Sequence, residues 1–214
     1  MDIKQLIDHV ERSFELAEKN ESKLTEEILK INGWIGLKTR HFYNNLCNIN
    51  LNYLEIGTWT GSSFISCLYE NPINAIGCDN WTGIEHGSTP ILELRDGFFN
   101  NTNKYLKNNF KFLDKDCFLI DENDIFSIYD SVDIYLYDGD HKEENHKKSI
   151  TYFSKMLSKY SIIIVDDWSW ETVRRGTFEG IQESNLKIHK KFEKFCENDS
   201  QNYWNGIAVF ICEK

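Results

Sequence analysis

Four aspartates in this chain are spaced to bring carboxylates together. Asp138-Gly139-Asp140-His141 follows one apolar run, and Asp166-Asp167-Trp168 follows another; Asp166 stands 28 residues after Asp138. If the two runs are adjacent parallel strands, Asp138, Asp166 and Asp167 meet above the sheet. Three carboxylates so placed repel one another unless a cation or a shared proton compensates. Oxygen donors suit Mg²⁺, Mn²⁺ or Ca²⁺ far better than zinc. Helix capping is the plainer alternative. Asp140 has Glu143 three positions on, as in a capping box, and Asp167 can cap the segment after it. Capping accounts for one acid at each strand end, not two.

A second constellation is a glycine turn. Tyr53-Leu54-Glu55-Ile56-Gly57-Thr58-Trp59-Thr60-Gly61-Ser62-Ser63 stands where a first strand runs into a first helix. In open α/β sheets, ligands bind beyond the carboxyl ends of the strands, and this first turn is the usual place. Gly57 lets the backbone turn tightly, and Gly61 permits close packing at the helix start. Asp79 ends the next strand 22 residues after Gly57, where an acid can take both hydroxyls of a ribose. Trp59 fills the middle glycine position of G-x-G-x-x-G. That disfavours a pyrophosphate and tolerates an adenosine without phosphates. A turn needed only for chain geometry, with Asp79 solvated, is the alternative.

Weaker signals surround these two. His141 assists a base or touches a substrate, or else is a polar residue opening a solvent-facing helix; His146, five residues on, does not share a helix face with it. Trp168 and Trp170 wall a sugar site by stacking, or pack under a lid. Arg174-Arg175 steers an anionic acceptor or solvates a helix face. The 81–90 loop, with Trp81 and His86, is a candidate lid on length alone.

These groups need a scaffold, and the apolar pattern supplies one. Residues 2–31 read as one or two amphipathic helices, with Leu6, Val10, Phe14 and Leu16 near helical spacing, and 33–40 as a connector. Strands are expected at 52–56, 73–78, 110–113, 134–137, 161–165, 186–195 and 206–212. Helices are expected at 62–69, 91–107, 141–158 and 171–183. This alternation predicts an α/β fold with a mainly parallel seven-stranded sheet and right-handed crossovers. The apolar run at 161–165 suits a central strand buried on both faces. No helix separates the last two strands, so they form an antiparallel hairpin at one edge. The expected organisation is a helical N-terminal extension over residues 1–35 and a Rossmann-like domain over 36–214.

Composition narrows the partners. A chain of 214 residues supports one sizeable core, and 41% apolar with 14% aromatic residues is a globular composition. The formal net charge of −10 argues against nucleic acid, whose binding rests on Lys and Arg, and no N-P-P-Y-like segment of a base methylase occurs. No run of eighteen apolar residues spans a membrane, and Met1-Asp2-Ile3-Lys4-Gln5 lacks the start of a secretory signal. The expectation is a soluble cytoplasmic protein without nucleic-acid or membrane partners, with a homo-oligomer left open. Cys47, Cys67, Cys78, Cys117, Cys196 and Cys212 form no C-x-x-C pair and read as reduced thiols.

Together these motifs resemble class I S-adenosylmethionine-dependent methyltransferases, specifically the metal-dependent sugar and macrolide O-methyltransferase group related to macrocin and novobiocin-pathway enzymes. The resemblance runs from about residue 36 to the C-terminus. It is carried by Glu55-Ile56-Gly57-Thr58-Trp59-Thr60-Gly61-Ser62, Asp79, Asp138-Gly139-Asp140-His141 and Asp166-Asp167-Trp168. It implies a class I methyltransferase fold and S-adenosylmethionine as cofactor. Glu55, Gly57 and Gly61 would line its methionine end, Asp79 its ribose, and Asp116-Cys117 its adenine. Thr58, Trp59, Ser62, Ser63, Asn80, Trp81 and Asp138 complete the implied cofactor site.

The same resemblance implies Mg²⁺ or Mn²⁺ on Asp138, Asp166 and Asp167, with Asp140 as general base and His141 beside it. The implied acceptor is a small molecule or glycan, with a sugar hydroxyl first. A cation would lower the pKa of that hydroxyl, and a carboxylate within reach would remove its proton. The rival reading of Asp138-Gly139-Asp140 is the D-x-D of a metal-dependent glycosyltransferase. A methyltransferase of a non-sugar small molecule and a non-catalytic binding module are further alternatives. The first thirty residues match nothing in the group.

Overall fold

Strands rich in Ile, Val and Tyr alternate with helices, and the product is a three-layer α/β fold. A computed structural model describes residues 1–82, 90–107 and 110–214. The strands are β1 Asn52–Ile56, β2 Asn74–Asp79, β3 Phe110–Asp114, β4 Val132–Tyr137, β5 Leu157–Asp166, β6 Lys187–Lys194 and β7 Ile207–Glu213. They form one seven-stranded sheet in the order β3-β2-β1-β4-β5-β7-β6. The pairings among β1 to β5 are parallel, and β7 runs antiparallel to both β5 and β6. The strand order reverses between β1 and β4, which leaves a crevice above their carboxyl ends.

The side-chain alternation of β5 divides the core. Ile162 and Ile164 join one cluster and Ile163 and Val165 the other, all with no exposed surface. The first face is covered by α1 Ile3–Glu18, α3 Leu37–Leu46, α4 Ser62–Leu68 and α5 Ile91–Tyr105. The second is covered by α6 Glu122–Phe126, α7 Glu143–Phe153 and α8 Glu171–Glu183. α1 carries Leu6, Val10, Phe14 and Ala17 into the first cluster, where Phe14 stacks on Phe42 at 4.0 Å. The N-terminal helix therefore shares the main core, and α2 Glu26–Leu29 seals its edge through Ile28 and Ile65.

Three local expectations are corrected. Residues 37–46, the first four of them expected as part of a connector, are helical; buried polar side chains stand beside Phe42, Tyr43 and Leu46 on α3, which blurs its apolar period. Arg40 donates to the carbonyls of Ile28 and Ile31, and Asn44 donates to those of Ser66 and Tyr69. The helix expected over 141–158 starts at Glu143 and yields to β5 at Leu157. Its N-cap is Lys142 without a side-chain bond, so the capping box at Asp140 does not form. The short helix α6 fell in a stretch without apolar period and went unread. Among the described residues no helix is long and apolar enough to cross a membrane.

Candidate functional site

The crevice above β1 and β4 opens into a cavity of about 330 Å³, and its two ends are built differently. At the first end the chain leaves β1 through Gly57. Its φ is +89°, and a Cβ there would lie 1.8 Å from the carbonyl oxygen of Asp138, so only glycine fits. Gly61, also at φ +89°, opens α4 against the ring of Phe98. Asp79 accepts backbone N–H bonds from Trp59 and Trp81, each at 2.7 Å, and the Trp81 indole donates to the Trp59 carbonyl at 2.9 Å. Stacking of Trp81 on Phe112 anchors this corner to the core.

The second end gathers acids. The Tyr137↔Val165 register sets the ends of β4 and β5 side by side, so Asp138 and Asp167 approach each other. One ligand atom each from Asp138, His141 and Asp167 lies within 4.8 Å of the others. His141 Nε2 is 2.8 Å from Asp167 Oδ2, while Asn205 donates its amide to Asp167 Oδ1 at 2.8 Å. Asp166 is buried behind them, and its Oδ1 has no hydrogen-bond partner. Burial and the charge of Asp167 push Asp138 up to about 7, and burial with the charges of Asp138 and Asp167 drives Asp166 upward too. This end is short of positive charge, and an orphaned carboxylate oxygen among crowded acids fits a hard divalent cation.

Left-handed backbone occurs on the same walls. Trp59, Trp81, Asp167 and Trp204 hold φ of 46°, 49°, 52° and 57°, and all four line the cavity. Side chains of this size rarely enter the left-handed region, at a cost of about 1–2 kcal/mol each.

Most of the residues expected from the sequence meet here. Gly57, Thr58, Trp59, Ser62, Ser63, Asp79, Asn80, Trp81, Asp116 and Cys117 line the cavity towards the first end. Asp138, Asp140, His141, Asp166 and Asp167 line it towards the second. Two do not reach the wall. Gly61 faces Phe98, and Glu55 is buried beneath the turn, reached through the Ser63 hydroxyl. Burial raises the Glu55 carboxyl to about 8, against the hydrogen bonds from Ser63 and Tyr53.

Asp166 lies outside the tightest donor group, whose third member is His141. His141 sits in the loop before α7 rather than on a solvent-facing helix. Asp140 is occupied locally: it accepts from the Lys142 N–H at 2.9 Å and lies 3.2 Å from the Lys142 ammonium. The bonds to Lys142 lower its pKa despite burial. Trp168 is fully buried and donates to Glu193, so Trp170 alone of that pair faces the cavity. Arg174 donates to the carbonyls of Trp168 and Ser169, and Arg175 pairs with Glu143, so neither is free to steer an anion. The lid expected at 81–90 falls, beyond Thr82, largely outside the described residues.

The sequence reading missed Trp34, Ile35, Trp204 and Asn205, all on the cavity wall. Segment 32–38 is a strap along the cavity wall, which it lines with Trp34 and Ile35. Thr60 donates to the Asn32 carbonyl at 2.6 Å, and the N–H groups of Leu37 and Lys38 donate to the carbonyls of Ser200 and Asn202. Gly33 lies against Ser62, and Gly36 against Asn202. The two glycines around Trp34 were the available signal. Nothing local marks Asn205, whose role comes from the long return between β6 and β7.

Residues 54–168 match the family described as "Methyltransferase domain". No curated protein matches the chain in sequence. Solved structures share the fold. An O-methyltransferase from Bacillus cereus in complex with SAH is 14% identical at TM-score 0.57, over 96% of this chain and 91% of that one. A Pyrococcus horikoshii protein named as a candidate RNA methyltransferase is 14% identical at TM-score 0.58, over 95% of this chain and 96% of that one. The M. jannaschii protein TYW2, in complex with AdoMet, is 13% identical at TM-score 0.54, over 84% of this chain and 76% of that one.

Proposed function

The chain belongs to the methyltransferase-domain family, and on that premise we propose that it is an S-adenosylmethionine-dependent O-methyltransferase that uses Mg²⁺ or Mn²⁺ and acts on a hydroxyl of a sugar or glycan. The observation that carries this reading is the meeting of Asp138, Asp166 and Asp167 with His141 in the cavity that also receives the glycine turn and Asp79.

The residues divide the work. Asp79, whose oxygens are fixed by the N–H groups of Trp59 and Trp81, would hold the ribose hydroxyls. The sulfonium methyl of the cofactor is already electrophilic, so alignment and activation of the acceptor remain as the protein's tasks. Asp138, Asp166 and Asp167 would hold the cation, which when bound lowers the pKa of a coordinated hydroxyl. When bound, S-adenosylmethionine would supply the methyl group and leave as a neutral thioether, and the acceptor's hydroxyl proton would pass to a side chain of this chain. Asp140 and His141, both on the cavity wall, are the side chains placed to take that proton, with Asp140 lying 3.2 Å from the Lys142 ammonium.

The test is calorimetric titration with S-adenosylmethionine, followed by a methyl-transfer screen over sugar acceptors with Mg²⁺, with Mn²⁺ and with chelator. Binding of the cofactor and chelator-sensitive transfer to a sugar hydroxyl are expected. Transfer that ignores chelator removes the cation. Transfer only to non-sugar acceptors removes the sugar. Binding of a nucleotide sugar in place of S-adenosylmethionine favours the glycosyltransferase reading of Asp138-Gly139-Asp140.

A further inference from the structure

We propose that His141 is itself a ligand of the cation, joining the aspartates of the acid end through Nε2, and that this imidazole selects a first-row ion such as Mn²⁺ over Mg²⁺. The inference rests on the cation of the reading above. It decides between the two side chains placed to take the proton: His141 goes to the ion, which leaves Asp140.

His141 is held from two sides by the segment that follows β5. The Thr172 hydroxyl donates to its backbone carbonyl at 3.2 Å, and its ring meets the Trp170 indole edge-on, with centroids 4.6 Å apart and an interplanar angle of 89°. So held, the ring turns Nε2 inward, 2.8 Å from Asp167 Oδ2. Asp167 is placed in turn: Asn205 donates to its Oδ1, which leaves Oδ2 for the space shared with His141 and Asp138. A second observation, independent of that clustering, calls for an ion. Asp166 is only 5% exposed and lines the same cavity, and its Oδ1 has no hydrogen-bond partner. A buried carboxylate oxygen without a donor is costly unless a cation meets it.

Asp140 is placed differently. Its Oδ1 accepts the Lys142 N–H at 2.9 Å and its Oδ2 lies 3.2 Å from the Lys142 ammonium, so it faces its own turn and stands outside the donor group. A nitrogen bound to a metal has no lone pair left for a proton, so the geometry gives the ion to His141 and the proton to Asp140. The donor set then bears on the choice of ion. Mg²⁺ takes oxygen ligands, whereas first-row ions accept an imidazole nitrogen readily, and Mn²⁺ accepts carboxylates as well.

The test uses the full chain, stripped of metal and loaded with Mn²⁺ alone. Electron spin-echo spectroscopy of the bound Mn²⁺ should show direct nitrogen coupling, and labelling the histidines with ¹⁵N should change its pattern. H141Q puts an oxygen donor in place of the nitrogen. The coupling should vanish, and Mn²⁺ affinity should fall at least about tenfold, since losing even an outer partner of a ligand costs that much. Mg²⁺ affinity, read by competition against Mn²⁺, should fall less, so that the preference for Mn²⁺ narrows. D140N should keep the coupling. Bound Mn²⁺ without nitrogen coupling in the parent chain, a result that needs no variant to fold, overturns the inference and leaves the O-methyltransferase reading standing. Coupling that persists in H141Q belongs to another nitrogen and overturns the inference too. No Mn²⁺ bound, while S-adenosylmethionine still binds, overturns the cation of the reading above and this inference with it.

Discussion

The two ends of the cavity use the same residue type for opposite purposes. At the ends of β1 and β2, Asp79 is surrounded by donors: two backbone N–H groups fix both of its oxygens. At the ends of β4 and β5, Asp138 and Asp166 are surrounded by other acids, and Asp166 Oδ1 has no donor. A satisfied carboxylate organises its own turn and is ready before a ligand arrives. A crowded one stores unfavourable free energy that a cation can release. The first end reads as a preformed socket and the second as a site completed by what it binds.

The sharpest way to break this contrast is Asp166→Asn. Removing one of the crowded charges should stabilise the metal-free protein by on the order of 1 kcal/mol, visible as a higher melting temperature in chelator. The same change should lower methyl transfer by about 10³-fold, because a ligand is lost where a hydroxyl must be activated. A variant that is less stable without metal, or that keeps full turnover, would show that Asp166 is an ordinary buried acid. Asp79→Ala is the opposite case. It strands the N–H groups of Trp59 and Trp81 and should cost about 1–3 kcal/mol of stability with or without metal. Affinity for S-adenosylmethionine should fall at least about tenfold in calorimetry. Equal stability of this variant and the parent would remove the socket from the description.

How much of each end was legible follows from the same contrast. The glycine turn and Asp79 are local: a strand, a tight turn and an acid at the next strand end are readable along the chain. The meeting of Asp138 with Asp167 was also readable, because β4 and β5 are apolar runs whose parallel pairing is the default. His141 was read as the start of a helix, since Glu143 three residues after Asp140 imitates a capping box that the backbone does not form. α3 was missed because Arg40 and Asn44 turn inward beside Phe42 and Leu46 and spend their donors on carbonyls, so polar residues interrupt its apolar stripe. Trp34 and Asn205 reach the cavity from segments far apart in sequence. No local pattern records that kind of convergence.

Asn205 gives a smaller and more specific test of the acid end. The Asn198 N–H donates to Asn205 Oδ1, which fixes the amide so that its NH₂ points at Asp167. Asn205 is a positioning residue, holding one oxygen of Asp167 so that the other faces His141 and Asp138. Asn205→Ala should weaken Mn²⁺ binding, measured by paramagnetic resonance of the free ion, by about tenfold, as outer partners of metal ligands typically do. Calorimetric affinity for S-adenosylmethionine should stay within about twofold of the parent, since Asp79 lies at the other end. Unchanged Mn²⁺ binding would make Asn205 a loop residue and nothing more.

Glu18 extends the comparison beyond the cavity and carries the smallest effect. It is the last residue of α1, and it accepts from Lys194 on β6, from Lys38 in the strap and from Tyr203 in the β6–β7 return. Burial would raise its pKa, but the bonds from Lys194, Lys38 and Tyr203 outweigh it and hold the carboxyl at about 2. A folded pKa below the unfolded one means that this group favours the folded state at neutral pH. That contribution is fully present above about pH 4.5 and is lost as pH falls towards 2. Because the side chain is 40% exposed, solvent screening reduces the effect to roughly 0.5–1 kcal/mol. Glu18→Gln should therefore lower the melting temperature slightly at pH 7 and have no effect near pH 2. Asp166→Asn should instead raise it at pH 7 in chelator, since the buried acid it replaces is disfavoured as an anion there. Two carboxylates, one ringed by donors and one by acids, thus predict opposite signs for the same chemical change, and a common sign would erase the distinction between them.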